Sequence, residues 1–271
     1  MEKLRGLGVV IAIVLLLSGA ALAESTGDIT QKGNDNEAAI EQRLRWNEAL
    51  IQQVGDSNQA DVLQRGLDHE ATIGQYGDEN QTAMLQLGCE SIAISFQYGT
   101  GNEVDVTQFG AWYRYSFPLN PYGAAYFNIA LITQTGTDNK AKVVQMHGLN
   151  EMEISQDGSG NEVSATQIQW ARDLGYNTLY VTQSGEFGED NVVTSWQVGA
   201  DNAAEVLQEG DRNEAAILMS GTYQYVSIDQ KGAENFASVS QRGSYNTSIV
   251  TQLGNGNIVR INQTSWSVGE M

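Results

Sequence analysis

The stretch SFQYGTGNEVDVTQ, residues 95–108, decides the fold of this chain. It ends a run in which glutamine returns every eleven residues, and between Gln97 and Gln108 it places two glycines, Asn102 and an alternating pair of valines. Glutamine occupies residues 31, 42, 53, 64, 75, 86, 97, 108, 134, 145, 156, 167, 183, 197, 208, 230, 241, 252 and 263, with Met219 in the remaining position. A fixed short period of this kind predicts a repeat architecture.

Each of these positions ends a seven-residue segment of the form Asn-x-Ala-x-Ile-x-Gln, as in residues 36–42. Alternation with a period of two predicts a β-strand whose Asn, Ala, Ile and Gln side chains share one face. The opposite face is predicted to meet solvent and carries Glu37, Glu41, Glu103, Asp105, Lys140 and Lys142. A glycine usually follows two residues after the glutamine, which suits a tight corner because glycine tolerates positive φ.

The true repeat has 22 residues, because alternate segments differ. All ten even-numbered segments begin with Asn, whereas the departures from Asn (Ser25, His69, Ser91 and Gln224) all lie in odd-numbered segments. Ten units of strand, corner, strand and corner predict an all-β fold, a β-solenoid of two parallel sheets. Coils about 4.8 Å apart would form a rod of roughly 50 Å.

The inward-facing Asn and Gln side chains suggest why their spacing is so regular. A buried amide without a partner costs a few kcal/mol, but a stack of identical amides can bond from coil to coil as a ladder. The predicted ladder residues include Asn36, Gln42, Asn58, Gln64, Gln97, Asn102, Gln108, Asn161, Asn213, Asn235, Gln241 and Asn257. Gln31 and Gln263 are predicted to lie at the two ends of the rod.

The repeat resembles the curlin repeat, Ser-x5-Gln-x-Gly-x-Gly-Asn-x-Ala-x3-Gln. The similar motif here is Ser91-x5-Gln97-x-Gly99-x-Gly101-Asn102-x-Val104-x3-Gln108, and residues 156–161 and 252–257 match its middle. The resemblance implies a structural subunit, or a nucleator, of curli-like amyloid fibres in the extracellular biofilm matrix, serving adhesion and aggregation. It also implies end-to-end polymerisation with identical copies, and as further partners a second curlin subunit and an outer-membrane secretion pore. The family's Gly-rich leader before the repeats has no counterpart between Ala23 and Ser25.

Residues 1–23 read as a secretory signal peptide. Lys3 and Arg5 precede an apolar core at residues 9–17, and Ala21-Leu22-Ala23 forms a small-x-small cleavage site. Cleavage after Ala23 leaves 12 basic and 32 acidic residues, a net charge of −20. This charge argues against nucleic acid as a partner, and the segment predicts a secreted protein at the bacterial cell surface. The solenoid is then predicted to fill residues 24–271.

Three insertions interrupt the period. The largest, at residues 111–127, includes a possible partner-contact loop with Trp112, Tyr113, Tyr115, Phe117 and Tyr122, and a loop folded over one sheet face is the alternative. The second surrounds Trp170 and Arg172. The third, residues 186–190, holds three carboxylates, for which a solvated turn is favoured over a calcium site because no calcium-loop motif is present.

No residues in the sequence form a convincing catalytic, cofactor or metal site. Cys89 is the sole cysteine, and His69 and His147 are interpreted as polar spacers. Acidic pairs such as Glu103 with Asp105 and Glu151 with Glu153 are interpreted as charges that limit lateral sticking of the sheets. The alternative function is a monomeric secreted β-helical protein that binds or cleaves carbohydrate. A monomeric solenoid normally needs caps, and the repeat starts about two residues after the predicted cleavage site and runs to Gln263, which favours the fibre.

Overall fold

The alternating segments form strands that wind into a solenoid of about ten coils, each contributing one strand to each of two sheets. The computed structural model describes residues 11–17, 25–110, 127–169, 175–185 and 190–265. The eleven-stranded sheet, here the odd sheet, contains β1 (Ile11–Leu17), β3 (Glu37–Arg43), β5 (Gln59–Leu67), β7 (Gln81–Cys89), β9 (Glu103–Phe109), β11 (Lys140–Met146), β13 (Glu162–Ile168), β15 (Val192–Ala200), β17 (Glu214–Thr222), β19 (Phe236–Ser244) and β21 (Ile258–Thr264). The ten-stranded even sheet contains β2 (Thr26–Lys32), β4 (Glu48–Val54), β6 (Glu70–Asp78), β8 (Ser91–Thr100), β10 (Asn128–Thr137), β12 (Leu149–Ser159), β14 (Tyr176–Ser184), β16 (Ala203–Glu209), β18 (Tyr225–Lys231) and β20 (Thr247–Leu253). The predicted all-β solenoid with two parallel sheets is therefore confirmed.

Neighbouring strands in both sheets pair in parallel and in register. Gln42 lies opposite Gln64, one 22-residue unit later. Across the largest insertion Gln108 lies opposite Gln145, so the coils on its two sides keep the same register. Equivalent residues of successive coils therefore form continuous rows along the rod.

The core is a thin layer between the two sheets. Its rows consist mainly of Ala next to Ile, Val or Met, and most members are under 5% exposed. Three apolar residues packed against this core remain partly exposed, namely Ile29, Val259 and Ile261. All three lie on β2 or β21, so the core is least covered at its two ends.

Glycine at the corners is required by how closely successive coils stack. Gly55 has φ +125°, and a Cβ at this position would lie 2.0 Å from the carbonyl oxygen of Gly77 in the next coil. Any other residue would both strain the backbone and collide with the neighbouring corner. The glycine spacing in the sequence thus reflects contact between coils as well as turn geometry.

One strand was not expected from the period. Part of the predicted signal segment, Ile11–Leu17, forms β1 and pairs in parallel with β3. The continuous apolar run IAIVLLL has no polar alternation, so the pattern that predicts the other strands does not mark it. Cleavage after Ala23 stays a prediction. Among the described residues, no helix is long and apolar enough to cross a membrane.

Candidate assembly site: the amide rows and the end coils

The glutamine row of the even sheet is an unbroken hydrogen-bonded ladder. In each step the Nε2 of one glutamine donates to the Oε1 of the glutamine in the next coil, at 2.7–3.0 Å. The row consists of Gln31, Gln53, Gln75, Gln97, Gln134, Gln156, Gln183, Gln208, Gln230 and Gln252. Its donors all point towards the C-terminal end of the rod.

The ladder glutamines from Gln42 onward also tie the two sheets together. Gln64 Nε2 donates to the main-chain carbonyl of Glu48 at 2.9 Å, and Gln108 Nε2 donates to that of Ile92 at 2.9 Å. In both cases the acceptor lies sixteen residues earlier, on the facing strand of the other sheet. Because a main-chain carbonyl can only accept and only the –NH2 of the glutamine amide can donate, this second bond fixes which way each amide points.

The glutamine row of the odd sheet has one break. Seven bonds of 2.8–3.0 Å connect its glutamines, but Met219 replaces the amide between Gln197 and Gln241. Gln197 Nε2 keeps its bond to the carbonyl of Thr178 at 3.0 Å, whereas the buried Gln241 Oε1 has no hydrogen-bond partner. The methionine therefore leaves the row in two separate pieces.

The asparagine row of the odd sheet is continuous and runs in the opposite direction. Each Asn Nδ2 donates to the Oδ1 of the asparagine one coil earlier, at 2.9–3.1 Å. The row consists of Asn36, Asn58, Asn80, Asn102, Asn139, Asn161, Asn191, Asn213, Asn235 and Asn257. Most of these amides also donate to a corner glycine of the next coil, as Asn58 does to the Gly77 carbonyl at 2.7 Å. The asparagine and the corner glycine thus form one structural unit.

The asparagine row of the even sheet is interrupted where the sequence departs from Asn. Its unbroken part runs from Asn128 to Asn202 with three Nδ2 to Oδ1 bonds of 2.9–3.1 Å. Ser91 Oγ and Gln224 Oε1 are buried without a hydrogen-bond partner. The replacements therefore leave polar atoms in the interior that the regular repeat would satisfy.

His69 is the most unusual of these replacements. Its side chain is 1% exposed, and neither ring nitrogen has a partner at hydrogen-bond geometry. Burial lowers the pKa of His69 from 6.5 to about 4, although the nearby carbonyls of Arg65 and Gly88 and the charge of Asp68 act in the other direction. The ring is therefore neutral at pH 7, where it occupies an amide position without an amide's hydrogen bonds.

The two end coils carry incomplete rows. On the N-terminal side Gln42 Oε1 has no hydrogen-bond partner. Inside the rod, by contrast, each glutamine that follows another glutamine in its row accepts a bond from the previous coil, as Gln64 does from Gln42. On the C-terminal side Gln263 Nε2 donates to the carbonyl of Thr247 at 3.0 Å, and no later coil follows among the described residues. One end thus offers a glutamine acceptor and the other a glutamine donor.

The outward faces are acidic and exposed, and their cations form a few surface ion pairs. Glu103 and Asp105 lie side by side on β9, and Lys140 Nζ lies 3.8 Å from the Glu103 carboxylate. Partial burial, followed by the charge of Glu37, raises the pKa of Asp61. Within the described ranges no group of three or more His, Cys, Asp or Glu side chains could hold a metal ion.

Several predicted site residues fall outside the described part of the chain. These are the aromatic residues Trp112, Tyr113, Tyr115, Phe117 and Tyr122, together with Trp170, Arg172 and the carboxylates at residues 186 and 189. Phe127, where the description resumes, lines a cavity of about 700 Å³ with Trp46, Glu48, Asp68, His69, Glu70, Glu90 and Ile92. Cys89 ends β7 and is half-buried, and His147 lies at an exposed corner with φ 54°.

A family comparison agrees with this geometry. The family model of the curlin associated repeat matches residues 47–77, 70–110, 199–232 and 232–264. The chain is a curlin-repeat protein. The matches fall on either side of the insertions, and the in-register pairing of β10 to β15 extends the same coils through the unmatched middle. No curated protein matches the sequence of this curlin-repeat protein.

Curlin repeats are structural elements of extracellular fibre proteins at the cell surface, and this family is not an enzymatic one. The family therefore suggests a curli-like fibre subunit.

Proposed function

We propose that this curlin-repeat protein is a secreted structural subunit, or a nucleator, of curli-like fibres in the extracellular biofilm matrix, serving adhesion and aggregation. Its subunits join end to end, so that β20 and β21 of one copy stack on β2 and β3 of the next. Its partners are further copies of itself and, as the family suggests, a second curlin subunit and an outer-membrane pore.

The observation that carries this proposal is the complementarity of the two ends. The partly exposed core residues, Ile29 at one end and Val259 and Ile261 at the other, would be buried by a further coil on either side. Gln263 Nε2 of one copy has the direction needed to donate to Gln42 Oε1 of the next. Open strand edges with matching rows favour continued stacking of identical units.

The first test is polymerisation of the chain from residue 24 to 271. Incubated protein is expected to form thioflavin-binding fibres with a diffraction reflection near about 4.8 Å, the spacing between paired strands. A soluble monomer that persists for days at high concentration would refute the proposal.

A second test separates docking from folding. Gln31→Ala and Gln263→Ala change the end coils, whereas Gln97→Ala and Gln108→Ala remove the same amide inside the rod, where flanking coils hold the fold at a cost of about 1–3 kcal/mol. We expect the end variants to lengthen the lag of fibre formation more than the internal variants at matched concentration. If the internal variants are more damaging, folding of the rod limits assembly.

A further inference from the structure

The edge of β3 that a preceding subunit would use is already occupied within the chain. β1 pairs with β3 over seven residues, in the same parallel, in-register manner as every other pair in the odd sheet. In the stacked fibre, the neighbour's β21 would take this same place beside β3. The two strands are therefore alternative partners for one edge.

The two strands of the first coil differ in how deeply their inward residues are buried. On β3 the inward residues Ala38, Ile40 and Gln42 are at most 4% exposed. On β2, which has no strand on its outer side among the described residues, the inward residues are only partly buried, as Ile29 is. The difference follows from β1, because both strands belong to the same first coil.

The pairing of β1 is nevertheless imperfect. Ala12 and Val14 lie in register with Ala38 and Ile40, as Val259 and Ile261 would in a neighbour's β21. Opposite Gln42, however, β1 places Leu16, where β21 would bring Gln263. Leucine has no amide, and Gln42 Oε1 accordingly lacks a hydrogen-bond partner.

We propose that β1 is an internal cap that covers the odd-sheet half of the N-terminal docking edge until residues 1–23 are removed. The inference rests on the proposed end-to-end assembly. β1 pairs along the strand edge and has apolar residues in register with Ala38 and Ile40, but it has no amide in register with Gln42. A second copy's β21, which brings Gln263 to that position, is therefore the better partner once the edge is open. Chains that keep β1 extend fibres slowly at this end, and removal of the segment releases them.

The test uses the full chain with three single substitutions. Val14→Asp places a charge in register with buried Ile40, whereas Ile13→Asp, the matched control, places it opposite half-exposed Ala39. Leu16→Gln supplies the amide that Gln42 lacks. Hydrogen exchange of the peptide covering β3 is measured on the monomers, and the lag of thioflavin fluorescence is measured with preformed seeds.

For Val14→Asp we expect exchange of the β1-facing amides of β3 to rise at least about 10-fold, and for Ile13→Asp less than about 3-fold. The seeded lag should shorten for Val14→Asp and lengthen for Leu16→Gln. Equal exchange and equal lag in all four proteins, or a shorter lag for Leu16→Gln, would overturn the cap. If no form of the chain makes fibres, the proposed function fails, while the exchange data still decide whether β1 protects β3.

Discussion

Replacing Met219 with glutamine is expected to join the two pieces of the odd-sheet glutamine row. A glutamine here would accept from Gln197 Nε2 and donate to Gln241 Oε1, which is now buried without a partner. By the sixteen-residue relation seen in the other coils, its Nε2 would also donate to the carbonyl of Ala203. The substitution therefore adds three hydrogen bonds in a place where the fold already provides the partners.

The expected change in the free energy of unfolding is the gain from the new hydrogen bonds minus the loss of the apolar burial of Met219. Three hydrogen bonds contribute about 1 kcal/mol each, and satisfying the buried Gln241 oxygen removes a penalty of about 1–2 kcal/mol. Met219 is fully buried. Its loss costs about 1.5–3 kcal/mol of apolar transfer free energy, with little change in side-chain volume. The variant should therefore be more stable by about 1–3.5 kcal/mol, which raises the melting temperature by roughly 2–7 °C for a chain of this size.

The assay is thermal unfolding of freshly purified monomer, with hydrogen exchange over β15–β19 as a local readout. Gln86→Met is the matched control, because it makes the reverse change in the same row and removes Nε2 bonds to the carbonyls of Glu70 and Ser91 and to Gln108. This control should lower stability by about 2–4 kcal/mol. If Met219→Gln destabilises the protein, or Gln86→Met is tolerated, the amide rows do not stabilise the rod as argued.

Three further outcomes are expected. Gly77→Ala should lower the free energy of unfolding by at least about 3 kcal/mol, because its Cβ would lie 2.0 Å from the Gly99 carbonyl oxygen. Gly256 has φ +68° and a Cβ there would meet nothing within 4 Å, so Gly256→Ala should cost only about 1 kcal/mol. Equal losses of the two variants in urea titrations would contradict the argument that stacking of the corners requires glycine. Burial depresses the pKa of His69 to about 4, so as pH falls below 6.5 the unfolded chain takes up a proton on this ring before the folded chain does. The free energy of unfolding is therefore full above pH 6.5 and drops by up to about 3 kcal/mol towards pH 4. His69→Asn should flatten this loss and His147→Asn should leave it, as pH-dependent urea midpoints will show. Because the chain from residue 24 carries a net charge of −20, lowering pH from 8 to 5 or adding salt should shorten the thioflavin lag of the His69→Asn variant. A lag that is unchanged or longer would contradict the view that charge repulsion slows assembly.

The coils could be predicted from the sequence because every coil repeats the same requirements. The eleven-residue return of glutamine, as at Gln53 and Gln64, gave the strand length, the inward face and the alternation between sheets. The glycine of each corner, as at Gly55, followed from the same period. Since a thin interior accepts mainly small or β-branched residues beside the amides, the pattern specified most of the core as well.

Other features could not be read from the sequence. The opposite directions of the glutamine and asparagine rows depend on which carbonyls lie near each amide, such as Glu48 for Gln64 and Gly77 for Asn58. The strand β1 was missed because an unbroken apolar run lacks the alternation of polar and apolar residues that marks the two faces of a strand. The unsatisfied Gln241 oxygen arises from Met219 one coil away, so it appears only once the register is known.

The opposite directions of the two kinds of row have a consequence for a long fibre. Amide dipoles aligned head to tail add up, as peptide dipoles do in a helix, and place partial charges of opposite sign at the two ends. A fibre with only forward-pointing glutamine rows would carry such a field at each growing tip. Here the nine backward steps of the Asn36–Asn257 row oppose the glutamine dipoles. The side-chain dipoles partly offset one another, so the tip that meets an incoming subunit carries a smaller partial charge than the glutamine rows alone would give it.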